Sequence, residues 1–201
     1  MHSTIDMAAV MPGFANPVLD AQRVSRCLLF ALARPGLVQD LPGMGLCVPP
    51  ATDLVAYAAF LALADHGTPI FLPVANEALA SSLRFHTGSP ILDHPDHAAF
   101  AYIGDWRDAP GLTDYPLGSV HAPEQAVTLF LSVSAFSDGA DYRLSGPGID
   151  DSILIAPSGL PEDFWTQRAA IASLFPRGVD CYLTCGSQLM GLPRTTVAEK
   201  I

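Results

Sequence analysis

One lysine stands in the whole chain, Lys200, beside the C-terminus. That scarcity removes much chemistry. A Walker A phosphate loop requires its lysine, and a pyridoxal-phosphate enzyme requires an interior lysine amine for the Schiff base; neither requirement is met. The other nine basic residues are arginines, set against twenty Asp and Glu, and the formal net charge of -10 offers no broad cationic surface for nucleic acid or an anionic membrane. An anionic ligand would need a local arginine pocket. The longest apolar run, Leu54 to Ala64, spans eleven residues, short of the roughly 20 needed to cross a bilayer. Near the start, Asp6 and Pro12 interrupt any signal-like run, which predicts a cytoplasmic location.

Cysteine is also sparse. Cys27 and Cys47 stand alone, while Cys181 and Cys185 fall in one strand-like segment. Positions four apart on a strand share a face about 13 Å apart, too far to co-ligate zinc or to close a disulfide. Four buried structural thiols are expected, and no cysteine spacing suits an iron-sulfur cluster. The chain contains no Gly-x-Ser-x-Gly elbow, no His-Glu-x-x-His pair and no Cys-x-x-Cys pair. Asp93-His94-Pro95-Asp96-His97 has the residue types of a metal site, but Pro95 and the polar flanks favour a solvated turn. No metal and no cofactor are expected.

What the chain does have is apolar bulk. Half of its 201 residues are hydrophobic and 15% are charged, so one compact domain with a substantial core and a partly apolar, association-prone surface is expected. Residues 1–16 read as a loose arm before a single domain over 17–201. Helical periodicity predicts a helix from Asp20 to Ala33, stopped by Pro35-Gly36, and a second behind Thr52 or Asp53 that is apolar on all sides and therefore buried. Asn76 caps a third, with Gly88 closing it, and a fourth starts at Pro161 and carries Phe164, Arg168, Ile171 and Leu174 at helical spacing. Strands are predicted at Leu37 to Leu41, Pro69 to Pro73, Ala98 to Ile103, Ile153 to Ile155, Val179 to Cys185 and Gln188 to Leu192. Ala126 to Val133 and Asp141 to Leu144 are expected to form a hairpin across Ser137-Asp138-Gly139. Gly104 to Pro123 has no periodicity and reads as a long loop, while Gly146-Pro147-Gly148-Ile149 reads as a tight turn. These elements give an α/β fold: a single, three-layer-like domain with a mixed central sheet flanked by helices.

Two segments could bind an anion. In Arg84-Phe85-His86-Thr87, at a predicted helix end, Arg84 and His86 complement the negative macrodipole; alternatively the guanidinium forks onto phosphate or phosphonate oxygens while the imidazole donates or shuttles a proton. Pro193-Arg194-Thr195-Thr196 sets a fixed cation and hydroxyl donors just after a strand, where α/β proteins often hold ligands, although Thr-Thr is also ordinary strand sequence. Arg84, His86, Arg194 and Thr195 are thus the ligand candidates. Arg177 and Asp180 read as a structural ion pair.

Phe175-Pro176-Arg177-Gly178-Val179-Asp180, the apolar run to Cys185-Gly186 and Leu192-Pro193-Arg194-Thr195-Thr196, taken with Ser82 to Thr87, Arg34-Pro35-Gly36 and Asp20-Ala21-Gln22, resemble the PhnH subunit family of the bacterial carbon-phosphorus lyase core complex. The resemblance covers nearly the whole chain. It departs at Ser25, where the family usually has Phe, and in the Gly104 to Gly118 loop. It implies a homodimer-forming subunit whose fold resembles a reduced pyridoxal-phosphate transferase that no longer binds the cofactor. It also implies assembly with the G, I and J subunits, where alkylphosphonate is attached to the ribose of ATP with loss of adenine before carbon-phosphorus cleavage, the radical chemistry belonging to J. The alternatives are a self-sufficient transferase acting on a nucleotide or phosphorylated sugar, and a pure scaffold with no ligand pocket.

Overall fold

Asn16 lies in extended backbone and accepts a hydrogen bond from the Leu19 amide, and Pro17 takes the first helical position, where a missing N–H costs nothing. In the computed structural model, which describes residues 5–201, this cap opens α1 (Pro17–Ala33), whose buried stripe is Val24, Leu28 and Ala31. Helix α2 (Leu54–Leu63) is buried from Val55 through Phe60, as its continuous apolar run requires. Asn76 caps α3 (Glu77–Thr87) by accepting from the Leu79 amide at 3.0 Å, and Gly88 closes it in the left-handed region at φ 73°. Helix α4 (Glu162–Ala172) starts after Pro161 and ends before Leu174. Among the described residues no helix is long and apolar enough to cross a membrane.

Seven strands form the central sheet: β1 (Gln39–Asp40), β2 (Ile70–Phe71), β3 (Ile91–Leu92), β4 (Phe100–Ile103), β5 (Thr128–Ser132), β8 (Asp180–Cys185) and β9 (Gln188–Leu192). Their order is β1-β9-β8-β5-β4-β2-β3, parallel from β3 to β8, with β9 antiparallel to both of its neighbours. A small antiparallel sheet joins β6 (Tyr142–Ser145) to β7 (Ile153–Ile155) on one side and β10 (Val197–Lys200) on the other.

Strand alternation divides the core. Tyr102, Phe130 and Tyr182 face α1, α2 and α3, where they meet Leu28, Tyr57, Phe60 and Leu83. Leu129, Leu131, Cys181 and Leu183 face the opposite way, toward Phe164, Trp165 and Ile171 of α4 and Tyr142 and Leu144 of the small sheet. The result is three layers, as expected for a mixed sheet flanked by helices. Each fully buried Leu or Phe contributes roughly 1.5–3 kcal/mol. Helix α1 sits so close to β9 that a Cβ at Gly191 would lie 2.3 Å from the Ala31 carbonyl oxygen.

Several expectations are corrected. The hairpin across Ser137-Asp138-Gly139 does not form: β5 pairs in parallel with β4 and β8, and β6 joins the small sheet. Leu129, Phe130 and Leu131 are buried on both faces, which suits a central parallel strand, whereas β6 alternates buried and exposed residues as a one-sided strand does. Strands β3 and β10 were not anticipated. The Gly104 to Pro123 stretch is pinned by buried Trp106, Leu112 and Tyr115 in and beside short 3-10 turns. Cys181 is buried, Cys27 and Cys185 are half-buried, and Cys47 is exposed, so the thiols are not uniformly interior. Gly146-Pro147-Gly148-Ile149 does form the expected turn, closed by the Ile149 amide to the Gly146 carbonyl at 3.2 Å.

Of the expected arm, residues 1–4 lie outside the described residues. The remainder is docked rather than loose. The Met11 amide donates to the Ser82 hydroxyl at 2.8 Å, the Asp6 amide to the Ser81 hydroxyl at 3.2 Å, and Met11 and Phe14 pack on the α2 and α3 core.

Candidate binding cleft at the strand ends

Parallel strands leave a depression where their C-terminal ends meet the helices that follow. Here β2, β4 and β5 end beside the first turns of α2 and α3, around a cavity of about 770 Å3 lined by Pro50 to Asp53, Leu72 to Glu77, Tyr102, Asp105, Asp108 and Ser132. A second cavity of about 560 Å3 shares Gly104, Asp105 and Ser132 and continues to Ser134 and Gly159 to Pro161.

Asp53 holds the floor together. It stands at the N-cap position of α2, yet its carboxylate does not cap that helix. Instead Oδ1 accepts from the Gly186 amide at 2.8 Å, and Oδ2 accepts from the Thr184 hydroxyl at 2.8 Å and the Tyr102 hydroxyl at 3.4 Å. The Tyr102 oxygen in turn accepts from the Asp53 amide at 3.1 Å. Burial, and then the neighbouring Asp53 charge, pushes the Tyr102 phenol up to about 12, so it stays protonated. Asp53 is therefore a strut between α2 and the β8–β9 turn, with its acceptors already occupied.

The cleft is acidic. Asp53, Glu77, Asp105 and Asp108 line it, against the single guanidinium of Arg107. That cation is already committed: Arg107 Nε donates to Asp105 Oδ1 at 3.0 Å and Nη2 to Oδ2, and these bonds hold the Asp105 carboxyl at about 2. The helix N-termini at the cleft carry partial positive charge, but Asp53 and Glu77 already sit there. Among the described residues, a polyphosphate would find no free cation in this cleft.

The four sequence-derived candidates are not brought together. Arg84 and His86 lie on the last turn of α3, at the β2–β3 end of the sheet, whereas Arg194 and Thr195 follow β9 toward the other end. Arg84 Nη1 is 3.9 Å from Glu77 Oε1 with its side chain 20% exposed, and His86 Nε2 donates to the Met11 carbonyl at 2.8 Å, clamping the N-terminal segment. Arg194 is engaged throughout: its amide and guanidinium donate to Asp180, with Nη2 to Oδ2 at 2.6 Å, and Nη1 donates to the Pro123 and Pro176 carbonyls. Thr195 lies half-buried in the turn before β10.

This geometry corrects the expected Arg177–Asp180 pair. Asp180 begins β8 and Arg194 follows β9, so the hairpin register that sets Cys181 opposite Leu192 brings Asp180 to Arg194. Arg177 lies in the preceding loop, and its buried Nε has no hydrogen-bond partner. Sequence reasoning also missed the Asp53, Tyr102 and Thr184 network, whose members are 49 and 131 residues apart. Helical spacing alone places Arg168 on the apolar stripe of α4, and nothing local in the sequence states what meets a cation there.

Fold and cleft together define a class: a three-layer α/β protein with a carboxylate-lined cleft at its strand ends and, among the described residues, no nucleophile paired with a base inside it. The family model for bacterial phosphonate metabolism protein (PhnH) matches residues 12–199. The chain is 38% identical over 190 residues, covering 93% of its length and 94% of the other protein, to the alpha-D-ribose 1-methylphosphonate 5-triphosphate synthase subunit PhnH of Rhizobium meliloti (strain 1021). Over 80 residues, 40% of its length and 41% of the other protein, it is 42% identical to the putative C-P lyase subunit protein HtxG of Stutzerimonas stutzeri. The chain belongs to the PhnH family of bacterial phosphonate metabolism proteins.

Proposed function

We propose that this chain is a cytoplasmic, non-radical subunit of a carbon-phosphorus lyase pathway complex, needed to build the alpha-D-ribose 1-methylphosphonate 5-triphosphate named for its Rhizobium meliloti relative. The observation that carries the division of labour is the charge of the main cleft. Four carboxylates face one already committed arginine there, and a triphosphate and a phosphonate both need free cations. The chain acts through assembly with the other subunits (G, I and J) and forms a homodimer. Arg84, whose only ion-pair contact among the described residues is the 3.9 Å approach to Glu77, lends its guanidinium with His86 to a shared anion site. Arg194 and Thr195 serve the hairpin and the turn that follow from their place in the chain.

The test is turnover. The purified chain with ATP and methylphosphonate should release no adenine, and addition of the partner subunits should start the release. Adenine released by the isolated chain at the rate of the complete mixture would instead establish the self-sufficient transferase.

A further inference from the structure

Helix α4 buries a cation on its apolar stripe. Arg168 lies between Phe164 and Ile171 and is 5% exposed. Its Nη2 donates to the Pro193 and Thr196 carbonyls and its Nη1 to the Cys181 sulfur. No ion pair to a carboxylate is formed by Arg168 or by Arg177 among the described residues. Arg168 Nε, Arg177 Nε and Thr196 Oγ1 are buried without hydrogen-bond partners, and Thr196 is itself only 4% exposed. All three residues line one small cavity, with Arg194 as a further wall.

Three guanidiniums thus surround this cavity, and among the described residues Asp180, bound to Arg194 at 2.6 Å, is the one carboxylate paired with any of them. A guanidinium cannot discharge itself by releasing a proton. Leaving the Arg168 charge buried without a counter-ion costs far more than one missing hydrogen bond, and the half-buried Arg177 adds a second unpaired charge to the same wall. A water would satisfy the donors but not the charge. The cavity measures about 10 Å3, room for a single water-sized atom. Arg194 also borders a shallow groove of about 290 Å3 formed with Pro123, Glu124, Phe175 and Pro176, which offers space for a larger remainder.

We infer that Arg168, Arg177 and Thr196 form a buried site for one anionic atom: a halide, or a single oxygen of a phosphate- or phosphonate-type oxyanion whose other atoms lie toward the Arg194 groove. The site is separate from the acidic cleft and does not depend on the subunit reading.

The full chain is melted at constant ionic strength while sodium gluconate is replaced, from 1 to 100 mM, by sodium chloride, sodium phosphate or sodium methylphosphonate. A bound anion raises Tm by roughly 5 °C across that range and then saturates. In Thr196→Val and Arg177→Gln, each first shown to fold by circular dichroism, at least half of that rise is lost; general salt effects are common to all three proteins and cancel in the difference. A rise with chloride identifies a halide site, and a rise with phosphate and methylphosphonate alone identifies an oxyanion site. The same anion response in wild type and both variants overturns the inference and leaves a water in the cavity. Should a variant not fold, calorimetric titration of the wild type with each anion decides, and no heat of binding up to 100 mM is the refuting result.

Discussion

At the scale of single residues, Tyr102 shows how burial sets chemistry. Its phenol holds its proton up to about 12 against an ordinary value of 10.0, because burial and the Asp53 charge both oppose ionisation. The folded chain therefore binds more protons than the unfolded chain between those values. Stability from this group is fully present below pH 10 and is lost as pH rises through 12, with a slope of up to about 1.4 kcal/mol per pH unit. Tyr102→Phe should be less stable than wild type at pH 9, by about 1 kcal/mol for the lost hydrogen bonds, yet flatter in its decline toward pH 11. Urea midpoints at the two pH values check this, and parallel declines would contradict it. Residue identity alone could not announce this arrangement. Asp53 looks like an ordinary N-cap, and only the approach of Gly186 and Thr184 turns its carboxylate toward the sheet. The expected Arg177–Asp180 pair gives way for the same reason: nearness in sequence suggests Arg177, but strand register supplies Arg194.

At the scale of elements, the helices were legible and the strand partners were not. Helix starts and stops are local chemistry: Asn16, Asn76 and Gly88 act where they stand. Asn76 does more than cap, because its side-chain amide also donates to the Pro50 carbonyl at 2.9 Å and the Thr52 hydroxyl at 3.3 Å, tying the start of α3 to the approach of α2 across the cleft. Asn76→Ala should cost about 1–2 kcal/mol, read as a lower urea midpoint with an unchanged slope, and Asn76→Asp should lose less because it keeps the cap. Equal losses would show that the bonds to Pro50 and Thr52 outweigh the cap. The false hairpin arose because β5 and β6 are neighbours in sequence with a turn between them. Nothing local to 126–144 states that β5 is to pair with β4 and β8 at its two edges and be covered on one face by α1, α2 and α3 and on the other by α4 and the small sheet. Of the two strands the sequence does not announce, β3 has only two residues, too few for periodicity to register, and β10 has no buried residue to mark an alternation.

At the scale of the whole molecule, apolar side chains left on the surface bear on assembly. Leu29 and Phe30 on the outer side of α1, the latter 46% exposed, lie within ten residues of exposed Leu37 and Val38, which lead into the edge strand β1. Exposed apolar side chains such as these are what the proposed homodimer would bury. If the proposed homodimer uses this face, Phe30→Asp should leave Tm within about 2 °C, since an exposed side chain contributes little to the fold, while lowering the mass read by light scattering from that of a dimer to that of a monomer. A wild-type chain that is already monomeric would overturn the proposed homodimer, and an unchanged dimer mass would exclude Phe30 from its contact. Composition determined by itself that this chain has a large core, no lysine-dependent chemistry and no cationic face, and the order of its motifs pointed to its family. These are properties of residues and their spacing, and they need no coordinates. The tertiary structure alone decided which charges meet. It sent Arg194 to Asp180, left Arg168 and Arg177 without a carboxylate among the described residues, and placed acidic side chains around the strand-end cleft. Electrostatic pairing depends on distances across strands and layers, and those distances exist only once the hydrophobic layers have closed.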